Sequence, residues 1–188
     1  MFREINQVET NIINKSLLDL SPTIFQTLER IDYSMWIKLT ESRSYNYFPR
    51  IYLVPNRLKL FIKDFNQATN IMHSGIYFGR IKQGNFYLSL EGAEFMHQFE
   101  CFSKNQIIKV NDMGEKAILY GNKVKKEYVE KTRSGIAVGS FILIFNKSND
   151  LLAIGRSQVK EADFQALDDS NIIIIIYVDK GYYLRKQQ

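Results

Sequence analysis

Sulfur chemistry and metal chemistry have little to work with in this chain. Among 188 residues there are one cysteine, two histidines, three prolines and one tryptophan. Cys101 alone excludes an internal disulfide, and with only His73 and His97 beside it there is no zinc-ligand set of the usual spacing. A reducing, cytosolic setting fits. The first residues, Met1-Phe-Arg-Glu-Ile-Asn-Gln7, lack an apolar signal core. The most hydrophobic run, Ile172 to Val178, is about a third of the roughly 20 residues a membrane-spanning helix needs, and reads as a buried strand. No Walker sequence occurs, and no stretch is repetitive or low in complexity. Gly135-Ile-Ala-Val-Gly139 lacks the third glycine and the strand-turn-helix setting of a dinucleotide loop. Asp168-Asp169 are adjacent, so on a strand they point apart, and a polar turn explains them better than a catalytic pair. Ser134 and Ser140 have no nucleophile-elbow context. No cofactor, no metal and no catalytic residue are expected.

What is present is an ordinary globular composition, 45% hydrophobic and 24% charged, with 13% aromatic residues and a formal net charge of +5. The charge is uneven. Up to Cys101, 11 basic residues face 10 acidic ones, a balance of +1; from Phe102 onward 14 face 10, a balance of +4. A basic surface attracts phosphate by counterion release, although a membrane surface or an acidic protein would answer the same charge.

Hydrophobic spacing sets the elements. Arg3 to Leu20 carries apolar residues every three or four positions and reads as an amphipathic helix, with a second short helix from Pro22 to Ile31. Tyr33 to Leu39 and Tyr45 to Val54 read as strands around the polar turn Thr40 to Ser44. The next element is a helix from Leu58 to Asn66. Gly75 to Ile81 and Phe86 to Leu90 form a hairpin around Lys82-Gln-Gly-Asn85, then Glu91 to Phe99 a helix. The second half is nearly all strand: Gln106 to Val110, Lys123 to Val129, Ile136 to Phe145, Leu151 to Ser157, Ile172 to Val178 and Tyr182 to Arg185, with one helix over Asp112 to Tyr120. Short strands at close spacing predict a small barrel. The change of character places a domain boundary near Cys101, giving domains 1–101 and 102–188.

Several pieces recur in a recognisable order: Ser74-Gly-Ile-Tyr-Phe-Gly-Arg-Ile81, Phe86-Tyr-Leu-Ser-Leu90, Leu119-Tyr-Gly-Asn122 and Leu152-Ala-Ile-Gly155. The second half resembles a PUA domain, an RNA-binding module. With the first half, the chain resembles the Nip-seven family of large-subunit ribosome-biogenesis factors. The resemblance implies an α+β protein, in which an N-terminal α/β domain with an antiparallel sheet flanked by helices precedes a C-terminal PUA-type mixed β-barrel. It also implies a non-catalytic, monomeric, cytoplasmic (nucleolar in eukaryotes) factor in pre-rRNA processing, with assembly proteins or exosome subunits as partners. Lysine, isoleucine and asparagine usage suits an archaeal member. RNA rich in U or A/U is expected along the edge carrying Arg156, Ser157 and Lys160. Where relatives place another base, this chain has Asp163. An RNA-modification enzyme bearing a PUA module is the alternative.

Lys123, Lys125 and Lys126 lie where a strand is predicted, with Lys123 and Lys125 on one face and Lys126 on the other. Together with Arg156 and Lys160 they form either a phosphate-binding strip or an ordinary solvated strand face, the latter favoured by Glu127 and Glu130. Tyr120, Tyr128 and Tyr182 are the rings of the second half that could stack on bases, but core packing with the hydroxyl at the rim is the better reading of each.

Overall fold

The computed structural model describes residues 1–39, 48–68, 71, 73–131 and 135–185. The chain forms two compact units, Met1–Cys101 and Phe102–Gln188.

The first unit is a five-stranded antiparallel meander. Its strands, β1 (Phe2–Glu4), β2 (Tyr33–Lys38), β3 (Arg50–Pro55), β4 (Ile76–Lys82) and β5 (Asn85–Leu88), lie side by side in chain order. Phe2 to Glu4 pairs with Lys38 to Trp36, so the predicted first helix loses its opening turn to the sheet. Helix α1 (Gln7–Leu18) starts instead at Asn6, whose side chain accepts the Glu9 N–H while the Glu9 carboxylate accepts the Asn6 N–H. Helices α1, α2 (Ile24–Arg30) and α4 (Leu90–Gln98) pack on β5, β2 and β4. Helix α3 (Lys59–Ala68), preceded by a 3-10 turn at Asn56–Leu58, instead contributes Ile62 to a cluster with Phe2, Trp36, Tyr52 and Val54. Lys59 and Lys63 reach Glu4 at 2.7 and 3.6 Å and tie α3 to β1. Gln83 and Gly84 both have positive φ (50° and 74°), the two-residue turn that joins β4 to β5 and sets their register. The predicted turn Thr40 to Ser44 and the first residues of the strand from Tyr45 lie outside the described residues.

The second unit contains β6 (Ile107–Val110), α5 (Asp112–Leu119), β7 (Val124–Lys125), β8 (Val129–Lys131), β9 (Phe141–Phe145), β10 (Leu151–Ser157), β11 (Ile172–Asp179) and α6 (Tyr182–Arg185). Sheet order is β7-β11-β10-β9-β6-β8, antiparallel except for the parallel pair β6 and β9. The outermost strands, β7 and β8, are consecutive in the chain and separated only by the 3-10 turn Lys126–Tyr128. Three residues span about 10 Å at most, so the sheet has to curl until its edges nearly meet. It is a mixed, nearly closed barrel. Its interior is apolar, with Ile108, Val110, Ile118, Val124, Ile142, Ile144 and Ile174 among the buried side chains. Each such side chain contributes about 1.5–3 kcal/mol by leaving water.

Three segments of the second unit depart from their expected strands. The strand expected over Lys123 to Val129 is broken after Lys125, because the chain has to turn from one sheet edge to the other. The strand expected from Ile136 begins at Phe141, after turns through Gly139. Tyr182 to Arg185 is a short helix, held by Arg185 rather than by a strand partner.

Candidate nucleic-acid interface

The outer face of the barrel is organised by the two ends of α5. At its start, the Asn111 side chain accepts the Gly114 N–H at 2.9 Å and donates to the Glu127 carbonyl at 2.8 Å. One residue therefore caps the helix and fixes the 3-10 turn beside it. At its end, the Gly121 N–H reaches the Ile118 carbonyl and the Asn122 N–H the Ala117 carbonyl, at 2.8 and 2.9 Å. The Leu119 carbonyl, otherwise an orphan acceptor, takes a bond of 2.5 Å from Arg185 Nη1. Arg185 also grips both carboxylate oxygens of Asp179, at 3.0 and 2.9 Å, and Asp179 is buried. Gly181 completes this clamp by size: a Cβ there would lie 2.0 Å from the Leu119 oxygen and 2.6 Å from Arg185 Nη1.

Held in this way, the turn after α5 bounds a cleft of about 460 Å³ lined by Gly121, Asn122, Lys123, Lys125, Tyr128 and Ile172. Lys125 sits 5.8 Å from the centre of the Tyr128 ring and 3.4 Å from the Glu127 carboxylate. Lys123 is exposed and makes no ion pair among the described residues. Tyr120, one residue before the cleft lining, is 77% exposed. An aromatic surface flanked by two lysines, open to water on one side, suits a phosphodiester with an unpaired base.

The other candidates divide between the same surface and the interior. Arg156 is exposed on β10, its Nη1 donating to the Gly139 carbonyl at 2.7 Å. Only β11 separates β10 from β7, which puts these backbones about 10 Å apart. Arg156 pairs across to exposed Ile175, and its neighbour Ser157 pairs with Ile174, the partner of Val124. Arg156 and Lys123 are thus on the outward side of the same strip. Ser157 points the other way, 2% exposed, with its hydroxyl donating to the Val159 carbonyl at 2.6 Å. Lys160 is exposed and lies 3.7 Å from Asp163. Lys126 is drawn away from the strip: its ammonium donates to the Leu167 carbonyl at 2.5 Å and lies 3.5 Å from Asp169. Of the six expected residues, the structure brings Lys123, Lys125 and Arg156 to one outward surface, leaves Lys160 exposed but ion-paired, and turns Ser157 and Lys126 inward to structural bonds. Asn122, Tyr128 and the Asp179–Arg185 clamp are the additions. The Leu119-Tyr-Gly-Asn122 signature pointed to Asn122, and Tyr128 was among the rings weighed for stacking, but nothing pointed to the clamp, which joins residues far apart in the sequence. Among the described residues no helix is long and apolar enough to cross a membrane, and no group of three or more His, Cys, Asp or Glu could hold a metal ion.

Comparison with known proteins gives this architecture its class. Residues 106–188 match the family described as "UPF0113 PUA domain", so the barrel is a PUA domain, a fold typically used to bind RNA. The whole chain is similar to a UPF0113 protein of Archaeoglobus fulgidus, 27% identical over 187 residues, which cover 100% of this chain and 96% of that protein. It also shares its fold with a hypothetical protein of Pyrococcus horikoshii (TM-score 0.63, 9% identity, covering 100% of this chain and 99% of that one). A conserved PUA domain protein from Thermoplasma acidophilum gives a TM-score of 0.55 at 13% identity, with the same coverage. The α+β fold is therefore shared with these two solved structures.

Proposed function

We propose that this protein is an RNA-binding assembly factor of the large ribosomal subunit, which holds U- or A/U-rich single-stranded pre-rRNA on the outer face of its barrel and carries out no chemistry itself. The observation that carries the reading is the cleft lined by Lys123, Lys125 and the Tyr128 ring, with Arg156 on β10, across β11 on the same side. Cations there position phosphates, while a ring accepts a base with little regard to its identity. The resemblance of the whole chain to the Nip-seven family supports the ribosomal setting, and the match of its barrel to the UPF0113 PUA domain supports RNA binding. Pre-ribosomal assembly proteins or exosome subunits are the protein partners this reading requires, in the cytoplasm or, in a eukaryotic cell, the nucleolus.

The test is the affinity of the full chain for a fluorescent oligouridylate across a salt series. Log affinity should fall linearly with log salt, and Lys123→Glu with Lys125→Glu should weaken binding at least tenfold and flatten the slope by about 1.4, about 0.7 for each lost phosphate contact. Adding Arg156→Glu should weaken it further. Absence of salt-dependent binding in the wild type would overturn the reading. Accumulation of large-subunit rRNA precursors on depletion checks the ribosomal assignment, and a modified nucleoside appearing in bulk rRNA or tRNA on incubation with the protein would contradict the non-enzymatic one.

A further inference from the structure

The first unit carries a second cationic and aromatic surface, on the sheet face that also carries Trp36 and Tyr52. The two-residue turn at Gln83-Gly84 fixes Arg80 directly opposite Tyr87 and Lys82 opposite Asn85, and Arg50 on β3 lies directly opposite Arg80. Directly opposed residues project from the same face of a sheet, so Arg50, Arg80, Lys82 and Tyr87 form one patch. Arg50 and Arg80 are exposed, and Tyr87 is 41% exposed. The Phe48 ring lies beneath both cations of β4, 5.9 Å from the Arg80 guanidinium carbon and 5.1 Å from Lys82 Nζ.

Among the described residues, the cations of this patch have no acidic ion-pair partner. Two arginines directly opposed across neighbouring strands repel each other. Elsewhere on the same face charge is compensated: Glu4 is held by Lys59 and Lys63, and the Lys38 ammonium donates to the Ile71 carbonyl. Tyr77, next to Tyr52 in the sheet, feels both guanidinium groups: burial pushes its phenol up, and Arg80 and Arg50 pull it back.

We infer that the sheet surface formed by Arg50, Arg80, Lys82, Tyr87 and Phe48 is a second binding site for single-stranded RNA, with the cations on phosphates and Tyr87 stacked on a base. The inference rests on the RNA-binding reading of the protein and extends it to a unit outside the PUA barrel. An acidic protein segment would satisfy the cations, but it would leave an exposed tyrosine between them without a planar partner. An unstacked base supplies that partner.

The experiment uses the full chain and a fluorescent oligouridylate, with Arg80→Glu/Lys82→Glu, Tyr87→Ala and Tyr87→Phe compared with wild type. The double reversal should lower affinity about tenfold or more and flatten the log–log salt slope by about 1.4, two contacts at about 0.7 each on single strands. Tyr87→Ala should lose about 5- to 100-fold and Tyr87→Phe almost none, because stacking needs the ring and not the hydroxyl. In wild-type protein, a 4-thiouridine-containing oligomer should crosslink to the peptide bearing Tyr87, a readout independent of whether any variant folds. Folded Arg80→Glu/Lys82→Glu protein with wild-type affinity and slope, or crosslinks confined to residues 120–128, would overturn this inference and leave the barrel reading intact. No salt-dependent binding by wild type would overturn both.

Discussion

Gly181 is the residue on which the candidate cleft most depends, although it touches no part of the cleft lining. With no side chain, it lets the Leu119 carbonyl and the Arg185 guanidinium meet beside it, and a Cβ would intrude on both. Gly181→Ala is expected to destabilise the protein by about 1–3 kcal/mol, as overpacking of a closed site does, read as a lower denaturation midpoint. It should also weaken oligouridylate binding several-fold, because the turn that presents Asn122 and Lys123 loses its anchor. A variant with unchanged stability and unchanged affinity would show that the clamp is ornamental. The sequence offers no local trace of the clamp. Asp179-Lys-Gly181 reads as a turn and Arg185 as a strand residue, and only the fold brings them to Leu119. Ser157 misleads in the opposite sense. It sits beside an exposed arginine at the end of a strand, but strand alternation places it inside the barrel with its hydroxyl bonded to the backbone.

At the scale of elements, local chemistry was legible wherever it decides the outcome alone. The β4–β5 hairpin is such a case, its polar turn chemistry and flanking alternation leaving one register. Elements decided by distant partners were not. Phe2 to Glu4 shares helical spacing with the residues of α1, but β2 offers it backbone pairing that a fraying first turn cannot match. Lys126 to Tyr128 continues the pattern of a strand and is bent by barrel closure. Helix α1 gives a further testable case. Burial alone would raise the Glu9 carboxyl, but hydrogen bonds from Arg3 and the Asn6 N–H outweigh it, and the group is held below the ordinary carboxylate range. A carboxylate depressed in the folded state adds stability above its unfolded pKa and loses it as pH falls through the folded value. Glu9→Gln should therefore lower stability by about 1 kcal/mol at neutral pH, a figure moderated by the partial exposure of Arg3. The gap between variant and wild type should close as pH falls below the ordinary carboxylate range and through the depressed value of Glu9. A constant gap across that range would place the effect in packing and not in charge.

For the molecule as a whole, counting charges by halves conceals as much as it reveals. The first 101 residues carry a balance of only +1, yet their carboxylates are not spread evenly: among the described residues Glu4 pairs with Lys59 and Lys63 and Glu9 with Arg3, while Arg50, Arg80 and Lys82 form no ion pair. Folding sorts charge that composition averages. The second half has the larger excess but engages part of it internally, through Lys126, Lys160 and Arg185.

Cys101, the last residue of the first unit, keeps its thiol buried at 5% exposure, and its carbonyl is fastened by the hydroxyls of Ser21 and Thr23. No other sulfhydryl exists in the chain. A thiol-reactive dye added to the native protein can therefore report only one event, the moment this end of the first unit comes apart. Under conditions where reclosing outruns labelling, the ratio of the observed rate to that of a free thiol is the equilibrium population of the opened form. The protein thus carries its own unlabelled gauge of local unfolding, and RNA that engages the first unit's sheet should slow that gauge.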